Sequence, residues 1–139
     1  MAKPENQVYQ AVVIWSRINN FWLHRIESKA TYSSRLKMYT YNTPAPKGFP
    51  DVCGLGPNGE PVFIELKAKG KRSTLRIEQY QFLKSAIERQ AFAVCIDDID
   101  DLATQYQTYT SLLKDSGYKE AAKYLLSRLP VPKVLNRAR

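Results

Sequence analysis

Two carboxylates and a lysine in neighbouring apolar segments are the residues whose types and spacing could carry chemistry. Asp51 begins an apolar run that ends at Leu55, and Glu65 and Lys67 close a second run that begins at Val62. A short segment rich in glycine, proline and asparagine separates the runs, which is the sequence pattern of a β-hairpin. The chemistry available to the three residues therefore depends on which face of the hairpin each side chain takes.

The hairpin turn has two possible registers, and they place the carboxylates differently because side chains alternate between the faces of a strand. A two-residue turn, Asn58-Gly59, would put the carboxylates on opposite faces. A three-residue loop would put them directly across from each other. Pro57 suits the first central position of a type I turn, Asn58 the second, and Gly59 the left-handed position that closes a bulge. The sequence therefore favours the three-residue loop, with Asp51 opposite Glu65.

Asp51, Glu65 and Lys67 would then form one cluster, because Lys67 lies two residues beyond Glu65 and points to the same face. Two carboxylates held close together repel each other unless a proton or a cation compensates. Mg²⁺ fits such a pair, since it takes oxygen ligands and keeps several waters. With Mg²⁺ polarising a phosphodiester and a bound water, Lys67 would orient that water or stabilise charge on phosphate oxygens. The cluster therefore predicts Mg²⁺-dependent phosphodiester hydrolysis, with Mn²⁺ as a substitute that accepts the same ligands.

These residues resemble the motif of a known family, the PD-(D/E)xK nuclease superfamily, and in particular its VRR-NUC branch. The resemblance covers roughly residues 4 to 98 and rests on three pieces of sequence: Gly48-Phe49-Pro50-Asp51, Glu65-Leu66-Lys67 and Gln79. It implies that Asp51 and Glu65 bind the metal together with the backbone carbonyl of Leu66. It also implies that Lys67 is the catalytic lysine. The activity that the resemblance implies is therefore that of a DNA endonuclease.

The resemblance extends to two further residues, for which the sequence leaves an alternative open. Glu5 would match an acidic residue on the first helix of the branch and would be a metal ligand, or it could be a first-turn acid favoured by the helix dipole. Gln79 would match a catalytic glutamine that supports the lysine and the phosphate. Its periodicity agrees, because Gln79 falls on the same helical stripe as Leu83 and Ala86. Gln79 could instead be an exposed first-turn residue. Asp51 could be an ordinary turn aspartate, and Glu65 with Lys67 a solvated strand face with a weak ion pair.

The charge of the chain indicates a polyanionic partner. Its 139 residues include 21 Lys and Arg against 13 Asp and Glu, a net charge of +8, which attracts phosphate groups. The basic candidates for contact with DNA lie near the motif or among tyrosines that could stack on bases; they are Arg25, Arg35, Lys37, Lys47, Lys69, Lys71 and Arg72. The tyrosine-containing segment could instead be a loop that packs on the sheet.

Several other classes of protein are disfavoured. No apolar stretch is long enough to span a membrane, and the first ten residues lack the pattern of a secretory signal, so we expect a cytoplasmic protein with no membrane partner. Cys53 and Cys95 lie in apolar runs and are expected to be buried thiols without a disulfide. With His24 as the single histidine, a structural zinc site lacks ligands.

The elements that must position the cluster follow from hydrophobic periodicity and capping residues. Helices are predicted from Pro4 to about Asn19 and from a Thr74 cap to about Gln90, and the region 28–48 has no clear period. Strands are predicted at about 21–27, 51–55, 62–66 and 91–96, followed by helices over about 102–129 that break near Ser116 and Gly117. This order predicts an α/β fold in one domain, a restriction-endonuclease-like sandwich with a central mixed sheet over about 4–98 and a C-terminal helical extension over about 99–139.

Together these features predict a Mg²⁺-dependent DNA endonuclease, with a non-enzymatic nucleic-acid-binding module on the same fold as the alternative. Cutting at a branch needs two active centres, which a symmetric homodimer supplies. Some stand-alone VRR-NUC proteins resemble Holliday junction resolvases in this respect, and this chain looks like a stand-alone member. We therefore expect a homodimer that prefers branched DNA. The aromatic segment from Tyr106 to Tyr124 is a candidate dimer contact, or it could cover one face of the sheet.

Overall fold

The computed structural model describes residues 4–26, 30–41 and 47–133. In these ranges the helices are α1 (Pro4–Ile18), α2 (Ile77–Glu88), α3 (Ile99–Ser116) and α4 (Tyr118–Arg128). The strands are β1 (Trp22–Arg25), β2 (Ala30–Ser33), β3 (Met38–Tyr41), β4 (Val52–Leu55), β5 (Pro61–Leu66) and β6 (Phe92–Ile96). The predicted α/β class is confirmed.

The central sheet is mixed, as predicted, and has the strand order β1-β4-β5-β6. The pairs β1–β4 and β4–β5 are antiparallel, whereas β5 and β6 are parallel. A parallel pair cannot be joined by a tight turn, so α2 supplies the crossover between β5 and β6. The first turn of α2 returns to the end of β5, where Gln79 contacts Glu65 and Lys67.

The β4–β5 turn takes the predicted three-residue form. Val52 lies opposite Ile64, and the backbone N–H of Gly56 donates to the carbonyl of Glu60 at 2.8 Å. Gly59 has a φ of 83°, the left-handed conformation that this turn requires of its last residue. The same register places the two candidate metal-binding carboxylates directly across from each other.

The two faces of the sheet are covered by different helices. On one face Phe92 contacts Tyr106 of α3, with ring centroids 5.1 Å apart, and α1 packs beside α3. On the other face Phe63 contacts Phe82 of α2 at 5.2 Å. Because neighbouring residues of a strand point to opposite faces, the apolar run of β5 is buried on both sides.

The C-terminal helices belong to the core and are more than an appendage to it. Leu102 of α3 and Leu125 of α4 are completely buried within the main hydrophobic cluster. Tyr109 stacks on Phe92 with centroids 5.1 Å apart, and the hydroxyl of Tyr118 lies 2.7 Å from each of two backbone carbonyls, which share its single hydrogen. Tyr106 and Tyr109 therefore cover one face of the sheet, as the second interpretation of the aromatic segment expects, and the dimer contact stays a prediction.

The predicted start of α2 is wrong. The chain forms a 3-10 turn at Arg72–Thr74 and α2 begins only at Ile77. The hydroxyl of Thr74 donates back to the carbonyl of Lys71 at 2.6 Å, so it stabilises the 3-10 turn and does not cap the helix. An extended residue, Leu75, follows this turn and separates it from α2.

The region without a clear period contains a hairpin that the sequence did not predict. Strands β2 and β3 pair antiparallel, with Ser33 opposite Met38. Their turn is Ser34-Arg35-Leu36-Lys37, where Lys37 takes the left-handed conformation at a φ of 52°. The turn contains none of the Gly, Pro or Asn residues on which hairpin prediction relies, which is why it was missed.

The structure also describes both cysteines and the character of the helices. Cys53 and Cys95 are both free thiols; Cys95 is buried as expected, whereas Cys53 is only half-buried. Among the described residues, none of the helices has the length and apolar character needed to cross a membrane.

Candidate active site

Asp51 and Glu65 lie side by side where β4 begins and β5 ends. The backbone N–H of Leu66 donates to Oδ2 of Asp51 at 2.9 Å, and the carbonyl of Asp51 accepts from the N–H of Ile26 at 2.7 Å. Asp51 is therefore tied to both neighbouring strands. The predicted geometry, two carboxylates on the same side of the hairpin, is confirmed.

Glu65 is buried, with only 3% of its surface exposed. Its Oε1 accepts a hydrogen bond of 2.9 Å from Nε2 of Gln79. Its Oε2 is buried without a hydrogen-bond partner, and no other side-chain atom in the described residues is in that state. An unsatisfied buried acceptor costs about 1–3 kcal/mol, and more when it is charged. The interpretation of Glu65 and Lys67 as a solvated strand face is therefore wrong, and Glu65 needs a proton or a cation.

The electrostatics of Glu65 lead to the same requirement. The pKa of Glu65 is raised to about 9, mainly by burial and next by the negative charge of Asp51. The charge of Lys67 lowers this pKa, and the charge of Glu5 raises it slightly further. When both are ionised, the side chains of Asp51 and Glu65 can only accept hydrogen bonds, so neither can bond to the other. A shared proton in the metal-free protein, or a shared cation, removes the repulsion.

Gln79 connects Glu65 to Lys67. Its side-chain oxygen accepts from Nζ of Lys67 at 3.1 Å and from the backbone N–H of Arg76 at 2.9 Å, while its amide nitrogen donates to Glu65. Lys67 Nζ lies 3.9 Å from Glu65 Oε1. Gln79 is 6% exposed, so its predicted place on the buried stripe of α2 is confirmed. Its hydrogen bonds fix which way the amide points and hold the lysine beside the carboxylates.

The Gly-Phe-Pro segment before Asp51 packs on the first turn of α2. Gly48 has a φ of 88°, and a Cβ atom built on it would lie 2.5 Å from the carbonyl oxygen of Glu78, so only glycine fits. Phe49 follows and contacts Phe82 of α2, with ring centroids 5.0 Å apart. These contacts hold Asp51 beside the end of β5, which explains why a Gly-Phe-Pro segment precedes this aspartate.

The donor set of the pair suits a cation that prefers oxygen ligands. Within the described ranges, no three His, Cys, Asp or Glu side chains come together as a metal-binding group, so the pair would need a backbone carbonyl and waters to complete a coordination sphere. Mg²⁺ is commonly bound in this way, by one or two carboxylates with several waters. The role of the Leu66 carbonyl as a ligand stays a prediction. Glu5, in the first turn of α1, acts on the charge of Glu65, and its role as a ligand stays a prediction.

The predicted DNA-binding residues divide into two groups. Arg72 donates to the carbonyl of Cys95 at 3.0 Å and to the carbonyl of Arg128, and it lies 3.9 Å from Asp101. These contacts hold the 3-10 turn against β6 and α4 and engage Nε and Nη2 of Arg72. Contact of Arg72 with phosphate stays a prediction. Arg25 is also engaged, over the ring of Tyr9 at 4.4 Å.

The other basic candidates are exposed. Lys47 and Lys69 form surface ion pairs with Glu78 and Asp98, and exposed pairs of this kind are weak enough to exchange for phosphate. The side chains of Arg35, Lys37 and Lys71 are exposed as well. The sequence missed one exposed aromatic residue, Trp22 of β1, which is 78% exposed. The strand alternation could have identified it, since Leu23 beside it packs on the core.

No family model, curated protein or solved structure matches this chain.

Proposed function

We propose that this protein is a Mg²⁺-dependent DNA endonuclease of the PD-(D/E)xK type, with a restriction-endonuclease-like form of the α/β fold. The observation that carries the proposal is the buried Glu65 carboxylate, which has one unpartnered oxygen and lies across from Asp51. Two carboxylates this close to each other, one of them buried, destabilise the protein unless a proton or a cation offsets their repulsion. Because the ammonium group of Lys67 lies beside the carboxylates, a cation together with a phosphate group fits this site best.

Each residue has a separate part in the proposed reaction. Asp51 and Glu65 hold the cation, which when bound supplies Lewis-acid activation of a water and of the phosphodiester. Lys67 directs its ammonium group to the attacking water or to a phosphate oxygen, where it stabilises developing negative charge. Gln79 is a positioning residue, because it fixes both Glu65 and Lys67 by direct hydrogen bonds.

The polyanionic substrate is supported by the net charge of +8 and by the exposed lysines near the site. Lys69 and Lys71 lie two and four residues beyond the candidate lysine, so a DNA strand bound at the site would pass over them. The proposal includes a homodimer that prefers branched DNA, since two such centres at a fixed spacing could cut across a branch.

The test is cleavage of supercoiled, linear and four-way-branched DNA by the purified full chain, with Mg²⁺ and with a chelator. We expect cleavage only with Mg²⁺ or Mn²⁺, and loss of cleavage in Asp51→Ala, Glu65→Ala and Lys67→Ala. Glu88→Gln, an exposed carboxylate at the end of α2, is the matched control and should keep full activity. Metal-independent cleavage, or full activity of any of the three alanine variants in a folded protein, would overturn the proposal. DNA binding without any cleavage would favour the non-enzymatic module.

A further inference from the structure

The sheet face that carries the candidate active site also carries exposed apolar residues at its other end. Trp22, Leu55 and Pro61 are cross-strand neighbours on β1, β4 and β5, and we call them the apolar row. Trp22 is 78% and Leu55 41% exposed, and Pro61 is also exposed. An exposed tryptophan in such a row is unusual unless a partner covers it.

The apolar row and the carboxylate pair share one face of the sheet. Side chains separated by an even number of residues point to the same side of a strand. Leu55 lies four residues from Asp51, and Pro61 lies four residues from Glu65. At roughly 3.3 Å per residue, the row lies about 13 Å from the carboxylates along the strands.

The surface between the two is neutral or basic. His24, Cys53 and Phe63 occupy the intermediate positions on β1, β4 and β5. Phe49 and Phe82 pack on Phe63, so the accessible surface between the row and the carboxylate pair is the exposed His24 and the half-buried Cys53. None of the residues between the row and the pair on these strands is acidic. A groove lined by Phe63, Phe82 and Arg89 adjoins Pro61. The charge of this surface therefore suits a nucleic acid strand that extends from the active site.

We propose that Trp22 and the apolar row bind an unpaired nucleobase of the strand held at the candidate active site. Aromatic side chains stack on the faces of bases whatever the sequence, and a base within a duplex has no free face to offer. The separation of about 13 Å corresponds to roughly four phosphates of a stacked strand at about 3.4 Å each. This inference rests on the proposed function and adds a physical reason for selecting DNA with unpaired bases.

A second copy of the chain fits the apolar row less well. Specific protein–protein interfaces bury about 800 Å² on each partner, and three side chains fall well short of that area. A single base is about the size of one indole ring, so Trp22 offers it a stacking face, and Leu55 and Pro61 lie beside that face.

Tryptophan fluorescence gives the test. The chain has two tryptophans, and Trp15 is packed against Phe21 at 4.7 Å, so Trp15→Phe leaves Trp22 as the only indole. This variant would be titrated with single-stranded oligothymidylate and with a blunt duplex, in chelator, so that no cleavage is required. We expect the single strand to quench Trp22 and the duplex to leave it largely unchanged.

Affinity measurements complete the test, with the anisotropy of a labelled oligothymidylate as the readout. Trp22→Ala should weaken binding by about five-fold to about 150-fold, and Trp22→Phe should retain most of it. The matched control is Ile14→Ala, which removes a residue 60% exposed from α1 on the opposite side of the sheet, and it should bind like wild type. Unchanged Trp22 fluorescence at saturating oligonucleotide, or equal quenching by the duplex, would overturn the inference. A concentration-dependent dimer that Trp22→Ala abolishes would assign the row to a second copy and would also overturn it.

The two proposals can fail separately. Quenching of Trp22 by single strands without any Mg²⁺-dependent cleavage would refute the proposed nuclease activity but support base binding by the apolar row. Mg²⁺-dependent cleavage without quenching would refute base binding by the row but support the nuclease activity.

Discussion

Replacing Glu65 by glutamine tests whether the buried carboxylate holds a proton when no metal is present. The pKa of Glu65 is raised from 4.5 to about 9, first by burial and then by Asp51. Between these values the folded protein binds a proton that the unfolded chain has released. Stability from this group is therefore complete below the unfolded pKa and is lost as the pH rises through the folded one.

The size of the effect follows from this difference in bound protons. One proton corresponds to a fall in the free energy of unfolding of at most about 1.4 kcal/mol per pH unit. Between about pH 5 and about pH 8, the loss in the metal-free protein is therefore at most about 4 kcal/mol. Glutamine cannot ionise and has nearly the shape of a protonated glutamate, so Glu65→Gln should resemble wild type at low pH and exceed it in stability at higher pH.

The assay is urea unfolding of both proteins in chelator across this pH range, repeated with Mg²⁺. Mg²⁺ should stabilise wild type increasingly as the pH rises, because it competes with the proton, and should not stabilise Glu65→Gln. Glu88→Gln provides the control for an exposed carboxylate and should track wild type at every pH. A difference between wild type and Glu65→Gln that stays constant with pH would refute the assignment of a raised pKa to Glu65.

Three other substitutions test the packing around the site. Gln79→Leu should lower the free energy of unfolding by about 2–4 kcal/mol, because several buried groups lose their partner, and should reduce cleavage more than DNA binding; equal losses in both would contradict a positioning role. Gly48→Ala should cost about 1–3 kcal/mol from its left-handed φ and its contact with α2, and calorimetry should show weaker Mn²⁺ binding because Asp51 shifts. Arg72→Ala should lower the thermal midpoint of unfolding without changing the salt dependence of DNA binding. Lys71→Ala should leave the midpoint unchanged and reduce the slope of log K for DNA binding against log salt by about 1. The reverse pattern would show that Arg72 contacts phosphate.

The parts of the site that sequence predicts are those set by local rules. Pro57, Asn58 and Gly59 specify the turn, and the turn specifies the register that brings Asp51 to Glu65. Helical periodicity places Gln79 on the buried side of α2.

The parts that sequence misses depend on tertiary contacts. Arg72 has the same local pattern as the exposed lysines around it, but its partners lie 23 and 56 residues along the chain. Thr74 satisfies the rule for a helix cap, yet its hydroxyl finds a nearer carbonyl in the 3-10 turn. The unpartnered oxygen of Glu65 likewise depends on how α2 and the sheet close over it. No local pattern contains this information.

The proposed function depends on whether the Asp51–Glu65 pair binds a divalent cation, and calorimetric titration of the metal-free protein with Mn²⁺ measures this directly. In two buffers of different ionisation enthalpy near neutral pH, we expect one ion bound per chain and about one proton released to the buffer, because the metal displaces the proton of Glu65. Asp51→Asn and Glu65→Gln should lose the binding, while Glu88→Gln keeps it. Unchanged Mn²⁺ binding in either site variant, or no binding by wild type, would contradict the assignment of the pair as the metal centre.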